Sequence, residues 1–245
     1  MTKKYKFLFV KFITALFILN GCANSTKIAS ENKDPFEKIN RNVFQFNKYL
    51  DQKIISPISK TYVKKIPAKI RSGVSNHLQW MDTPNTIINS ALQTDMENTI
   101  LSSAKFLLNG LTLGFYDLDK GETVIKKRDF GSTLARLNVS EGPFLMVPLI
   151  GPKTTRDLTG TILDRQNMTT LSSNSIDLSL AEVPINIIDK RSKMSKTFDN
   201  IYLSTDPYVK VRSFYLQNRR NEIYSEKYIE NKNNNLDAEF EKLLD

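Results

Sequence analysis

The chain has 245 residues, 40% of them hydrophobic, and 35 basic against 26 acidic side chains give it a formal charge of +9. A single histidine rules out two-histidine zinc motifs, and a single cysteine rules out an internal disulfide. The length suits one domain with a substantial core or one extended helical array, and one domain is expected.

The first 21 residues read as an export signal, with Lys3, Lys4 and Lys6 before a mostly apolar run from Phe7 to Leu19 and then Asn20-Gly21. That run is too short to cross a bilayer. Leu19 and Gly21 fit bacterial lipoprotein processing, although Asn20 is an unusual choice and Lys11 interrupts the apolar core. Cys22 is therefore expected to carry a thioether-linked lipid, with no other cofactor. The alternative is an ordinary cleaved signal and an incidental thiol. Three acyl chains anchor firmly, at about 0.8 kcal/mol per buried methylene. Ala23 stands where an Asp would signal inner-membrane retention, which points to the periplasmic face of an outer membrane. Four of the 35 basic side chains lie in the leader, so the remainder carries +5 rather than +9. No nucleic-acid partner is expected for an exported chain without a helix-turn-helix or zinc-ligand spacing.

Residues 22–33 are small and polar without periodicity and read as a tether. Asp34-Pro35 with Glu37 reads as a capping box that opens a helix, and Ile39, Val43, Phe46 and Leu50 form its apolar stripe. From Lys53 through Lys60, Lys64, Lys65 and Lys69 to Arg71 there is no acid between Asp51 and Asp82. Such a run is a solvated face or a contact for anionic headgroups. Thr83-Pro84 and Asp206-Pro207 each read as a helix start. The stripe Ile70, Val74, His77, Leu78 and Met81 precedes a second one of Ile87, Ile88, Ala91 and Leu92. Asp95 is placed to cap a helix whose face Ile100, Leu101, Ala104, Leu107, Leu108 and Leu111 is the widest apolar surface in the chain.

Helical patterning lapses over 110–133 and over 139–152, where Gly142-Pro143 and Gly151-Pro152 enclose an apolar run that Pro148 prevents from being one straight helix. Later helices are predicted at 154–165, 184–202 and 207–230, and the charged stretch 221–245 reads as a frayed tail. The fold class is mainly α.

Parts for catalysis are scarce. There is no G-x-S-x-G, G-x-G-x-x-G or Walker-type loop, and a serine nucleophile would have to share His77 as its base. His77 reads as a packed core residue, and Asp117/Asp119 as solvated or capping carboxylates in preference to a cation site.

Several short segments carry an identity when taken in order. They are Asp34-Pro35-Phe36-Glu37, Asn40-Arg41-Asn42-Val43-Phe44-Gln45-Phe46-Asn47, Phe106-Leu107-Leu108-Asn109, Asp129-Phe130-Gly131-Ser132-Thr133-Leu134, Gly142-Pro143-Phe144, Leu149-Ile150-Gly151-Pro152 with Arg156-Asp157, and Ser204-Thr205-Asp206-Pro207-Tyr208 running to Arg219. Over about residues 34–220 the chain resembles the MlaA (VacJ) family of outer-membrane lipoproteins. The resemblance implies a single-domain, ring-like helical body with irregular Gly/Pro-containing loops, seated in the inner leaflet and pierced by an amphipathic passage. It implies removal of misplaced phospholipids from the outer leaflet, delivery to a soluble MlaC-like periplasmic carrier, and association with a trimeric porin, without catalysis. A non-transporting scaffold that docks on porins and a lipid hydrolase remain as alternatives.

By motif position, Asn40, Arg41, Phe44, Asn47, Phe130, Gly131, Ser132 and Thr133 are the candidate passage residues. For Arg41 and Asn47, capping or buried hydrogen bonding is an equal alternative. Gly142, Pro143, Phe144, Leu145, Leu149 and Ile150, together with the 100–111 face, are the candidate membrane-facing or hinge surfaces, with ordinary core as their alternative. Gly131 and Gly142 read as positions that disfavour a Cβ. Arg136, Asn138, Ser140 and Glu141 stand where the family usually has more glycine.

Overall fold

The computed structural model describes residues 34–171 and 179–224, with side chains through 165 and from 182. The leader, Cys22, the 22–33 tether and residues 225–245 lie outside the described residues. From Phe36 onward the chain forms one unit, predominantly helical.

Helix α1 (Glu37–Leu50) begins without the anticipated capping box: Phe36 occupies the N-cap position and supplies no side-chain bond. Glu37 instead holds Arg41 one turn on, at 2.8 Å. The buried face is also not the predicted one. Asn40 and Phe44 point inward, while Ile39 and Phe46 are 62% and 49% exposed. A five-residue π turn (Asp51–Ile55) joins α1 to α2 (Ser56–Lys65) without leaving helical backbone. The widened turn lies just before Pro57, whose absent N–H removes a rung of the regular ladder. The rod ends where Ile66 turns extended ahead of Pro67.

Helix α3 (Ala68–Leu92) runs for 25 residues straight through Pro84, so Thr83-Pro84 does not open a helix. Thr83 Oγ1 donates to the Gln79 carbonyl at 3.0 Å, one side-chain bond beside the rung that proline cannot supply. A short turn with Thr94 at φ 58 leads to α4 (Met96–Gly110), capped as predicted by Asp95, which accepts from the Asn98 N–H at 3.1 Å. The two pack as a helical hairpin. Trp80 pins it, stacking on Phe106 at 5.1 Å and donating to the Phe106 carbonyl at 2.9 Å. Gly114, at φ +74, is required there because a Cβ would lie 2.4 Å from that of Trp80.

The irregular 111–129 segment is tied down by polar side chains. Lys105 reaches Asp119 at 3.1 Å and Asp117 at 3.6 Å, which accounts for that carboxylate pair. Within the region expected to be irregular, α5 (Phe130–Arg136) starts at a capping box between Asp129 and Ser132. The 139–152 break is an antiparallel hairpin, β1 (Phe144–Val147) with β2 (Gly151–Thr154), Phe144 opposite Thr154 and Val147 opposite Gly151. α6 (Thr155–Leu171) follows directly. The predicted 184–202 helix is two, α7 (Ser179–Lys193) and α8 (Ser195–Tyr202), separated at Met194. The last helix, α9 over 207–224, has Asp206 accepting from the Val209 N–H at 3.1 Å. It carries regular structure past the expected tail boundary at 221, with Ile223 buried.

The distribution of polarity is the reverse of a water-soluble domain. Among the described residues, 23 polar or charged side chains are buried against 8 hydrophobic ones. The apolar cluster is small and holds Phe44, Phe144, Met146 and Tyr208. Meanwhile Ile100 and Leu107 on α4 and Leu111 at its C-cap are 67%, 71% and 79% exposed, so the widest apolar stripe faces outward. None of the described helices is long and apolar enough to cross a membrane.

Helices α5 and α6 touch through two glycines. A Cβ on Gly160 would stand 2.3 Å from the Gly131 nitrogen, backbone that has nowhere to go. Gly160→Ala is expected to destabilise by about 1–3 kcal/mol or more, measured by thermal unfolding; an unchanged midpoint would remove this contact from the account.

Candidate functional site

Three polar assemblies and one cavity are built on this frame. The first joins α1 to the hairpin. Asn40 donates to the Phe144 carbonyl at 3.0 Å and accepts from the Met146 N–H at 2.9 Å. Asn47 repeats the pattern, donating to the Val147 carbonyl at 3.0 Å and accepting from the Leu149 N–H at 2.9 Å. Seven helical residues advance about 10 Å and three strand residues about the same, so two carboxamides on one helix face satisfy both ends of an otherwise bare strand edge. Between them Phe44 is core. Arg41 faces away, bidentate to Asp206 at 3.1 and 2.8 Å with its guanidinium 4.6 Å from the Tyr208 ring, which joins α1 to the start of α9.

The second assembly centres on Arg219 of α9. It grips the Asp129 carboxylate at 2.9 and 2.7 Å, donates to Asp157 at 3.0 Å, and reaches Glu222 at 2.8 Å. Asp157 also accepts from Thr154 Oγ1 at 2.9 Å and from the Tyr215 hydroxyl at 2.5 Å. Burial by itself would raise the Asp129 carboxyl, but bonds and charge from Arg219 outweigh it and hold it below the ordinary carboxylate range. Burial, then the Asp157 charge, pushes the Tyr215 phenol upward.

The third assembly is a polar seam. Thr83, Thr86, Asn89 and Ser90 of α3 and Gln93 at its C-cap are buried at helical spacing. Gln93 donates to Ser132 and Thr133 at 3.0 and 2.9 Å, and Thr133 donates to Asn89 at 2.8 Å. Asn89 donates to Asp164 at 3.0 Å, which also takes the Phe130 N–H at 3.0 Å. Burial raises the Asp164 carboxyl.

A cavity of about 450 Å³ opens between α1, the hairpin and α7 to α9. Its walls are largely apolar, with Leu50, Ile150, Ile187, Phe198 and Phe214, and its charged groups include Lys48, Lys190 and the Asp51–Arg191 pair, 2.8 Å apart and buried. Burial draws the Lys190 ammonium downward in pKa. An apolar wall with cations beside it is an environment for an amphiphile carrying an anionic group.

The MlaA lipoprotein family model matches residues 32–222. This chain belongs to the MlaA lipoprotein family. A Rickettsia felis protein is 34% identical over 202 residues, 79% of this chain and 76% of its own. The Haemophilus influenzae intermembrane phospholipid transport system lipoprotein MlaA is 27% identical over 87% of this chain and 89% of its own, and its Escherichia coli K12 namesake 29% over 82% of each. A solved structure concerned with maintenance of bacterial outer-membrane lipid asymmetry superposes with a TM-score of 0.68 at 28% identity, covering 78% of this chain and all of the other.

The MlaA motif residues fall into two groups, of which the second packs against Arg219. Asn40 and Asn47 hold the hairpin; Phe44, a candidate passage residue, is core, and Phe144 takes the ordinary-core alternative to the membrane-facing one. Phe130, Gly131, Ser132 and Thr133 are the first turn of α5, and a Cβ on Gly131 would lie 2.8 Å from both Arg219 Nη2 and Asp157 Oδ1. Gly142, at φ +67, and exposed Pro143 lie at the base of the hairpin beside Thr155, half-buried Leu145 lies on β1, and Leu149 and Ile150, at 66% and 44% exposure, form its tip. His77 is half-buried where core was expected, stacked 4.6 Å from Phe115 with Nδ1 2.6 Å from the Leu113 carbonyl oxygen. The sequence reading missed the α3 seam, whose signal was a stripe of Thr, Asn, Ser and Gln at the spacing ordinarily reserved for apolar residues.

Asn40→Ala is expected to lower stability by about 1–3 kcal/mol for each backbone group it orphans, with Asn40→Asp intermediate because it keeps the acceptor; thermal unfolding reads both. Asp129, depressed in the folded state, contributes stability that is present above about pH 4, the unfolded carboxyl value, and is lost as pH falls through its lower folded value. Asp129→Asn is therefore expected to flatten the acid limb of a stability-against-pH profile, and an unaltered limb would contradict the assignment.

Proposed function

We propose that this protein is a non-enzymatic conduit on the periplasmic face of an outer membrane, removing misplaced phospholipids from the outer leaflet and passing them to a soluble periplasmic carrier. The inverted polarity carries this reading. A two-chain lipid crossing water would expose roughly 25 to 30 methylenes, on the order of 20 kcal/mol, while its headgroup cannot cheaply cross hydrocarbon. A body with apolar residues outside and polar residues inside meets both conditions. The named relatives are transport-system lipoproteins. Lipidation of Cys22, the 22–33 tether and docking on a trimeric porin belong to the same proposal and rest on the leader sequence and the family resemblance.

In cells lacking the protein, outer-leaflet phospholipid is expected to rise and to return on complementation. Unchanged levels with disturbed porin assembly would favour the scaffold reading instead. His77→Ala is expected to leave clearance intact; its loss in a folded variant would favour a hydrolase. Leu107→Asp and Leu149→Asp, each placing a charge on an exposed apolar site, are expected to weaken membrane seating, measured by flotation with lipid. Wild-type flotation of both would remove these surfaces from the membrane-facing set.

A further inference from the structure

The stretch from Lys53 to Ile70 presents two kinds of side chain that nothing in the described fold covers. Ile54, Ile58, Val63 and Ile70 are 51%, 47%, 42% and 57% exposed. Lys53, Lys60, Lys64, Lys65 and Lys69 are exposed beside them, and none forms an ion pair with a described residue. The local acid is unavailable to them, because Asp51 is buried and bonded to Arg191 at 2.8 Å. The next acid along the chain is Asp82.

The segment's inward side is fixed by Ser56 and Ser59, both buried, with Ser59 donating to the Ile188 carbonyl of α7 at 3.1 Å. At about 100° per residue, Ile58 and Lys65 lie within about 20° of each other on the outward side of α2, with Lys64 and then Lys60 following around one flank, so aliphatic and cationic side chains share the uncovered side. Lysine stems lie along apolar surface while their ammonium groups seek water or anions. This combination is what a helix lying in a lipid interface requires.

We propose that the 53–70 segment lies against a membrane surface and binds anionic phospholipid headgroups, its isoleucines at the acyl boundary and its lysines among the phosphates. An acidic protein surface would match the lysines but leave four large aliphatic side chains in contact with water. Near an anionic surface each lysine strengthens binding about fivefold, which is about 1 kcal/mol at 1.4 kcal/mol per factor of ten.

The test uses the chain from residue 22 onward carrying Cys22→Ser, which removes both the acylation position and the basic, apolar leader and leaves the protein surface as the source of membrane affinity. Binding is measured to vesicles of phosphatidylcholine alone and of phosphatidylcholine with phosphatidylglycerol, at low and high salt. Tighter binding to the phosphatidylglycerol vesicles, weakened by salt, is expected. The triple variant Lys60→Gln, Lys64→Gln, Lys65→Gln, with an unchanged circular dichroism spectrum, is expected to lose on the order of a hundredfold of that affinity. Lys196→Gln with Lys210→Gln, on α8 and α9, is expected to lose little. Equal affinity for both vesicles, or a triple variant that binds like the parent, overturns the proposal. So does a triple variant that keeps vesicle binding but fails to clear phospholipid in cells, since that assigns the lysines to a protein partner. Vesicle binding is read without reference to lipid movement, so a conduit that fails its own test leaves this result standing.

Discussion

Arg219 sits where three parts of the chain converge. Its guanidinium holds the Asp129 cap of α5, the Asp157 carboxylate of α6 and Glu222 on its own helix, and Asp157 passes the connection on to Thr154 at the base of the hairpin. In a body with little buried hydrocarbon, such a charge network substitutes for the packing that would ordinarily orient these elements. Removing one member would leave an uncompensated buried charge, which is far more damaging than removing the pair. The close contact between Gly131 and Gly160 is part of the same arrangement: without Cβ atoms there, the two helices come near enough for one arginine to serve both.

A polar interior demands completeness. In the seam between α3 and α5, Asn89 both donates and accepts and Gln93 donates twice while its Oε1 has no partner among the described residues, and the two asparagines of α1 close four backbone groups of the hairpin. Half-satisfied networks of this kind are worse than an apolar core. The residues that hold this protein together are therefore also those that make its inside polar. Stability and the proposed conduit draw on one set of side chains.

How far the fold was legible in the sequence follows from this inversion. Helix starts with a local mechanism were readable, as at Asp95 and Asp206-Pro207, because a capping carboxylate acts within a few residues. The mainly α class and the family were readable for the same reason, motif by motif. Pro84 misled, since α3 continues through it with Thr83 bonded back to Gln79. The hairpin was seen only as a non-helical break, because its outer edge is completed by Asn40 and Asn47 from a helix a hundred residues away. The α1 stripe was read as an inward face by a rule that presumes water outside, whereas the α4 stripe was left open between a membrane-facing surface and ordinary core, and the structure turns it outward. Only long-range contacts reveal which stripe is buried.

That inversion has a calorimetric consequence. Heat-capacity increments of unfolding come mainly from apolar surface newly exposed to water, with polar surface contributing in the opposite sense. A molecule whose aliphatic side chains already face outward, and whose inside is rich in hydroxyls, carboxamides and ion pairs, gains little new hydrocarbon hydration when it opens. Its free energy should vary with temperature along a nearly straight line, and cooling should do little to loosen it.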